Sequence, residues 1–158
     1  DAIQWLIDNG KRVRHEILDG WWKDTGKLDP LLEGNRLILE TLEPANRGTI
    51  DDTSLVEGRV VVDDGAEIIN STVRGPAIIG PGARIVNSYV GPYTSVAAGC
   101  EILDSEIQHS VILEDSRIVN IPHVQDSLIG REVEVVRSGR VPRATRLMLG
   151  DHSRVDIE

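Results

Sequence analysis

Aliphatic residues recur through residues 50–129 at steps of five or six positions, with small and polar residues between them. A step of six matches neither the 3.6-residue period of a helix nor the alternation of an ordinary strand. It fits a solenoid of short strands with three flat sides per coil, in which each aliphatic side chain points to the axis. The predicted inward positions are Ile50, Val56, Val62, Ile68, Val73, Ile79, Ile85, Val90, Val96, Ile102, Ile107, Ile112, Ile118, Val124 and Ile129.

Short pieces of sequence repeat at intervals of 17 residues. "IINSTV" begins at Ile68, "IVNSYV" at Ile85 and "ILDSEI" at Ile102, while "IQHSVI" from Ile107 and "VQDSLI" from Val124 are spaced in the same way. Gly, Asn, Asp and Ser lie at the presumed corners, where they tolerate the backbone angles that a corner needs. Fifteen inward positions at three per coil predict about five coils.

The composition agrees with such a core and restricts the partners. The chain has no Phe, and stacked Ile and Val fill a narrow core without aromatic rings. A net charge of −9 argues against nucleic acid or an anionic membrane surface as a partner. The single cysteine, Cys100, permits no internal disulfide, fits a reducing compartment and is expected to be a small buried residue in a coil. No apolar run approaches the roughly 18 residues of a membrane span.

Residues 1–49 do not follow the repeat. "AIQWLIDNG" predicts the end of a helix with Gly10 as its C-cap, and "RVRHEIL" (12–18) predicts a strand. "DPLLEGNRLILETL" (29–42) predicts a helix with Asp29 as N-cap and Pro30 at the first helical position. We expect this helix to cap the first coil, because the exposed strand edges of a solenoid end need cover.

The repeat also stops after Ile129. The sequence that follows contains two β-rich strings, 132–136 and 145–149, around a turn, and predicts a terminal cap.

The order of strand, loop and helix near the start is typical of an α/β layer, of which only the last piece is present. The predicted division is 1–28 for the α/β remnant, 29–49 for the linking and capping helix, 50–130 for the solenoid and 131–158 for the cap.

The repeat resembles the hexapeptide-repeat family, whose fold is the left-handed parallel β-helix. The resemblance covers about residues 50–130, and the left hand is implied by it, since spacing alone does not fix the hand. The predicted fold class is therefore mainly β: a left-handed parallel β-helix preceded by a short α/β remnant and a helix.

A second resemblance rests on "GWWKDTGK" (20–27) and the helix resembling "LLEGNRLIL" that follows it. This order, ahead of a β-helix, is similar to the end of the catalytic domain of sugar-phosphate nucleotidylyltransferases. The resemblance implies that Asp24 helps to hold a catalytic Mg²⁺, and that Trp22, Thr25 and Gly26 shape the sugar-phosphate side of the pocket. From the residue alone, the favoured interpretation of Asp24 is a turn aspartate that bonds its own backbone. The metal role is favoured only together with the neighbouring Trp-Trp-Lys and Thr-Gly residues.

The resemblance also implies an activity. The most similar members make dTDP-glucose and pyrophosphate from dTTP and glucose 1-phosphate, and the β-helix would serve stability and oligomerisation, with a trimer favoured and a dimer or tetramer left open. A Gly-x-Gly-Thr-Arg phosphate loop and a second metal aspartate are missing from the 158 residues. We therefore expect the C-terminal part of a longer cytoplasmic enzyme, inactive without its N-terminal catalytic domain.

Two alternatives remain open at the level of sequence. Hexapeptide-repeat proteins are often acyltransferases with a histidine base, for which His109 and His123 are the candidates, although no long loop between coils offers an acyl-donor site. The other alternative is an assembly module without catalysis. The acidic pairs 63–64 and 114–115 lie at presumed corners and are expected to be solvated, with a weak cation site as the lesser reading.

Overall fold

The computed structural model describes residues 2–17, 19 and 26–137. It contains two helices, α1 (Ala2–Asp8) and α2 (Leu28–Leu39), followed by 17 short strands numbered β1 to β17 in chain order. The strands form three sheets of six, six and five strands, and every pairing between neighbours is parallel. Because the chain visits the three sheets in turn, it winds a three-sided β-helix of about five coils, which confirms the predicted solenoid.

Each sheet takes every third strand. Sheet A contains β1 (Ala45–Asn46), β4 (Val60–Val62), β7 (Ala77–Ile79), β10 (Thr94–Val96), β13 (Val111–Ile112) and β16 (Leu128–Ile129). Sheet B contains β2 (Thr49–Ile50), β5 (Glu67–Ile69), β8 (Arg84–Val86), β11 (Glu101–Leu103), β14 (Arg117–Val119) and β17 (Glu134–Val136). Sheet C contains β3 (Leu55–Glu57), β6 (Thr72–Arg74), β9 (Tyr89–Val90), β12 (Glu106–Gln108) and β15 (Val124–Gln125).

The core is the stack of predicted inward side chains. From Val62 to Ile118 all of these positions are buried, with at most 1% of the residue exposed. The four at the two ends, Ile50, Val56, Val124 and Ile129, are partly buried and pack against the same cluster. Full burial of one such side chain contributes about 1.5–3 kcal/mol. The inward register inferred from the spacing is therefore confirmed.

The corners use the residue types that the sequence predicted. Asn70 and Asn87 have φ angles of 45° and 50°, and Gly82 and Gly99 have 65° and 68°. Left-handed backbone of this kind suits Gly, and Asn and Asp tolerate it better than other residues. Tyr93, His109 and Glu132 are exceptions with φ of 61°, 45° and 54°, so three corners carry larger residues than the predicted types.

Parallel stacking extends past the predicted limits of 50 and 130. Strand β1 pairs with β4 from Ala45 onward, and Val135 stacks on Ile118 in the column of sheet B. The repeat therefore continues one step beyond Ile129, and the string predicted at 132–136 is a solenoid strand at 134–136 rather than part of a separate cap. The string at 145–149 lies outside the described residues.

The segment before the solenoid differs from its prediction in one respect. Helix α1 ends before Gly10, which has a φ of 65° and acts as the expected C-cap. The predicted strand at 12–18 is wrong over 12–17, where the backbone has no strand and every residue is exposed. A strand needs a neighbour to pair its backbone groups, and no described strand lies beside this segment.

Helix α2 begins earlier and ends earlier than predicted. Its N-cap is Lys27, so the prediction of Asp29 at the cap is wrong, and Asp29 instead lies in the first turn. A carboxylate there interacts favourably with the positive end of the helix dipole. Pro30 is the third helical residue, a position whose missing N–H has no partner within the helix in any case.

The helix lies against the side of sheet A. The Asn35 side chain donates to the Tyr93 carbonyl (3.1 Å) and accepts from the Ser95 hydroxyl (2.6 Å), and Arg59 donates to the Glu40 carbonyl (2.6 Å). These contacts join the helix to β10 and to the corner before β4. The helix therefore lies on the side of the solenoid, whereas the sequence predicted that it would cover the end of the first coil.

The physical reason is the outer face of sheet A. Its outward residues include Val61, Ile78 and Val111, which are half-buried, and such a face gains by being covered. Leu32 and Leu39 of the helix are correspondingly buried at 3% and 0% exposure.

In the part of the chain that the structure describes, neither helix has the length and apolar character needed to cross a membrane.

Candidate functional site

The predicted site residues fall at the edge of the described chain. Trp22, Asp24 and Thr25 lie outside the described residues, so their roles stay predictions. Gly26 is described and exposed, and it stands immediately before Lys27, the N-cap of α2. The Trp-Trp-Lys-Asp-Thr-Gly segment therefore leads directly into the helix that is fixed to the solenoid.

Side-chain contacts are found in the second half of α2. The Arg36 guanidinium pairs with Glu33 at 2.8 Å and also with Glu40, one turn to either side. Asn35 fixes the helix to Ser95 of β10 and to Tyr93, just before that strand, through two hydrogen bonds. The solenoid thus holds the helix through hydrogen bonds, and the helix begins two residues after Gly26, the described end of the predicted site segment.

No group of three or more potential metal ligands occurs within residues 2–17, 19 and 26–137. The two acidic corner pairs contain residues that already have partners. Asp63 pairs with Arg47, and Glu114 accepts a 2.8 Å hydrogen bond from Arg131. The pKa of Glu114 is lowered by a hydrogen bond from its own backbone amide and by Arg131. Nothing in these contacts favours the cation-site reading.

His109 makes the closest histidine–carboxylate contact of the described chain. Its Nδ1 lies 2.5 Å from Oδ1 of Asp126, which occupies the same corner one coil above. The ring of Tyr93 meets the imidazole edge-on at a centroid distance of 6.1 Å. The hydrogen bond from His109 lowers the pKa of Asp126. A carboxylate-oriented imidazole is the arrangement of a general base, but the pair lies on the outside of the coil.

The second histidine has a weaker partner. Nδ1 of His123 lies 3.6 Å from Oε2 of Glu106, and both side chains are more than 40% exposed. The structure does not bring His109 and His123 together with a further nucleophile or base among the described residues. The acyltransferase alternative therefore stays a prediction.

Cys100 is completely buried, as predicted. Its Sγ donates to the Leu113 carbonyl at 3.1 Å, and burial raises the pKa of the thiol. A thiol with a raised pKa stays protonated and unreactive near neutral pH. Cys100 occupies a small-residue position that Ala83 fills in the coil below, which explains the residue type.

Sequence reasoning missed a ladder of charges on sheet B. Glu67, Arg84, Glu101, Arg117 and Glu134 stand one above another with alternating sign. Arg84 bonds Glu67 at 3.0 Å, and Arg117 bonds both Glu101 and Glu134 at 3.0 Å. The signal was present in the sequence, because these charges recur at steps of 16 or 17 residues, the height of one coil.

Comparison with known proteins finds relatives of both parts of the chain. Residues 92–147 match the family described as GlmU-like, C-terminal hexapeptide. Over nearly its whole length the chain is similar to glucose-1-phosphate thymidylyltransferases. It is 51% identical to the Streptomyces griseus enzyme of that name over 157 residues, 99% of this chain and 44% of the relative. The Streptomyces antibioticus enzyme is 49% identical with the same coverage.

A third relative is the low-salt glycan biosynthesis nucleotidyltransferase Agl11 of Haloferax volcanii, 37% identical over 160 residues, 99% of this chain and 45% of the relative. The chain spans less than half the length of these curated relatives and matches the C-terminal part of the thymidylyltransferases. The resemblance to nucleotidyltransferases with a hexapeptide tail is thereby confirmed.

Proposed function

We propose that the chain is the C-terminal part of a nucleotidyltransferase that makes dTDP-glucose and pyrophosphate from dTTP and glucose 1-phosphate. The observation that carries the proposal is identity near 50% to two glucose-1-phosphate thymidylyltransferases across 99% of the chain. The similarity runs through the Trp-Trp-Lys-Asp-Thr-Gly segment as well as the coils, so it includes the residues proposed for nucleotidyl transfer.

The reaction joins a sugar phosphate to a nucleotide. An oxygen of glucose 1-phosphate attacks the α-phosphorus of dTTP, and pyrophosphate leaves. Carboxylate oxygens are the usual protein ligands of Mg²⁺, which when bound would supply neutralisation of the charge on the phosphate oxygens. We assign Asp24 as one ligand, with Trp22, Thr25 and Gly26 on the sugar-phosphate side. One aspartate is an incomplete site, so the other ligands belong to the part of the relatives that this chain does not span.

The β-helix is assigned to stability and self-association in the cytoplasm, with a trimer favoured. Sheet B supports this role because its outer face carries a straight aliphatic column beside the paired charges. The members of the column are Ile69, Val86, Leu103, Val119 and Val136. A flat face of this kind suits symmetric contacts between copies. A buried free thiol at Cys100 is compatible with a reducing compartment.

The test uses the longer protein whose reading frame contains this chain. We expect pyrophosphate release with dTTP and glucose 1-phosphate, and a loss of about a hundredfold or more in kcat/KM for Asp24→Asn. Asp29→Asn is the matched control, since Asp29 is a nearby exposed carboxylate, in the first turn of α2, without a proposed metal role. If Asp24→Asn releases pyrophosphate at the rate of the parent protein, the metal assignment is wrong. If the parent protein releases no pyrophosphate, the proposed function is wrong.

Two measurements on residues 1–158 complete the test. The isolated chain is expected to release no pyrophosphate from the same substrates, because it lacks a phosphate-binding loop. Analytical ultracentrifugation is expected to give the mass of a trimer. A monomer at micromolar concentration would contradict the role of the β-helix in assembly without affecting the assignment of the reaction.

A further inference from the structure

One edge of the β-helix carries a groove that follows from the residue count of its corners. Between sheets B and C the inward step is five residues in three successive coils, 68–73, 85–90 and 102–107. The step is six in the coil below, 50–56, and six in the coil above, 118–124. Asn70, Asn87 and Asp104, one from each of these three shorter corners, line a recess that is three coils high.

The recess has the size of a small-molecule site. Its volume is about 430 Å³, within the roughly 300–1,000 Å³ range of ligand pockets. The upper end is closed by Ile121 and Pro122 of the longer coil. At the lower end, the carboxylate of Asp51 accepts the backbone N–H of Asn70 at 3.1 Å, and so ties the flanking turn to the first recessed corner.

One wall of the groove is a column of polar side chains held in fixed orientation. Asn70 donates to Asn87 at 2.8 Å, and Asn87 donates to Asp104 at 3.1 Å. All three have left-handed backbone, with φ between 45° and 50°. Each asparagine amide in this ladder has two N–H donors, of which the ladder uses one. The wall therefore presents planar polar groups whose positions are set before any ligand arrives.

The opposite wall combines an aromatic ring with polar groups. It consists of Thr72, Tyr89 and Glu106, three residues in register on successive strands of sheet C. The floor contains the buried serines Ser88 and Ser105, whose hydroxyls donate to the carbonyls of Val86 and Leu103 at 2.7 Å. The hydroxyls of the floor are thus neutral and already donate hydrogen bonds. The polar groups open to a ligand lie on the two walls.

The charge of the groove restricts its ligand. Asp104 and Glu106 are carboxylates, and no Lys or Arg is among the lining residues. A phosphate or another anion would meet two negative groups at short range in this site. Hydroxyl groups both donate to carboxylates and accept from amides, and the apolar face of a sugar ring packs on an aromatic ring. We propose that this groove binds a neutral sugar, with the pyranose ring against Tyr89 and its hydroxyls on the Asn70–Asn87–Asp104 wall.

The experiment follows the side-chain amide resonances of Asn70 and Asn87 in ¹⁵N-labelled protein. Glucose and maltotriose are titrated to about 0.1 M, since an open site implies millimolar affinity. We expect saturable shifts confined to the groove. Sorbitol, which has the hydroxyls but no ring, and glucose 1-phosphate, which has the ring and an anion, are expected to bind at least about tenfold more weakly.

Variants separate the groove from the rest of the surface. Tyr89→Ala is expected to weaken glucose binding about tenfold, whereas Tyr89→Phe keeps the ring and should retain binding. Tyr93→Ala is the matched control, because Tyr93 is also a half-buried tyrosine but lies at the corner between sheets C and A, outside the groove.

Three outcomes would overturn the proposal. The first is the absence of a saturable shift with either sugar. The second is unchanged binding in a Tyr89→Ala variant whose other resonances match the parent. The third is a shift of the Asn70 and Asn87 amides on simple dilution, which would make the groove a contact between copies of the chain. None of these outcomes bears on the nucleotidyltransferase assignment, which is tested by pyrophosphate release.

Discussion

Oδ1 of Asn87 accepts a 2.8 Å hydrogen bond from the side-chain amide of Asn70, which lies 17 residues earlier and one coil below. Both residues have left-handed backbone, and Asn87 in turn donates to Asp104. The 17-residue repeat in the sequence thus produces a column of side chains in which each asparagine donates a hydrogen bond to the residue one coil above. The same height of one coil organises the core, the corners and the charges on sheet B.

The Asn87 corner should reveal the energetic value of left-handed backbone. Asn87→Ala removes two hydrogen bonds of the ladder. It also places alanine, which tolerates left-handed backbone less well than asparagine, at a φ of 50°. Asn87→Gly removes the same bonds but tolerates the angle. We expect urea denaturation to show that the alanine variant is less stable than the glycine variant by about 1 kcal/mol. Equal stabilities, or a less stable glycine variant, would show that the corner angle is not limiting.

The inward register can be tested with two adjacent residues. Ile102 is fully buried, and its neighbour Leu103 points outward and is half-buried. We expect Ile102→Asp to abolish cooperative folding, because an unpaired charge would enter the core, and Ile102→Val to cost about 0.5–1.5 kcal/mol. Leu103→Asp is the control and should still fold. Circular dichroism melting is the measurement, and the reverse order of the two aspartate variants would show that the register is wrong.

The charge ladder of sheet B should respond to salt. In Glu101→Arg, three arginines at positions 84, 101 and 117 would stand in succession, where the parent alternates in sign. The groups are partly exposed, so we expect a modest fall in Tm at low ionic strength that shrinks at about 1 M NaCl, where charges are screened beyond roughly 3 Å. Glu101→Gln, which removes the charge without reversing it, should show a smaller salt effect. A Tm difference that salt does not alter would point to packing instead.

Asp51 should titrate below the ordinary range of an aspartate. Its pKa is lowered chiefly by the Ser54 hydroxyl, then by the Thr53 hydroxyl. We expect Ser54→Ala to raise this pKa more than Thr53→Ala does, as followed by the ¹³C shift of the carboxyl group. No change in Ser54→Ala would contradict the hydrogen-bond assignment.

The sign of the linked stability follows from that direction. Because the folded pKa of Asp51 is lowered, the carboxylate stabilises the fold above the ordinary aspartate pKa, and this contribution is lost as the pH falls through the lowered value. Asp51→Asn should therefore lose less stability than the parent on acidification, as measured by urea denaturation at a series of pH values. A parallel pH dependence in both proteins would contradict the coupling.

For the candidate site, the sequence supplied the motif and its resemblance, and the comparisons support the family to which the motif points. Trp22, Asp24 and Thr25 lie outside the described residues, and Gly26 is the one member with a described position. A metal site assembled from distant segments cannot be completed from one segment. The groove at Tyr89 was missed for another reason, since it depends on comparing corner lengths between coils rather than on any motif.

The sequence by itself determined the β-helix, its inward residues from Ile50 to Ile129 and the polar character of its corners, because each repeat contacts chiefly its neighbours and the pattern is local. Tertiary structure decided the rest. Asn35 reaches Ser95 across 60 residues to place α2 on sheet A, and no periodicity encodes that contact. The segment at 12–17 has strand-like composition but no neighbouring strand in the described chain, and backbone pairing requires a partner that composition cannot supply.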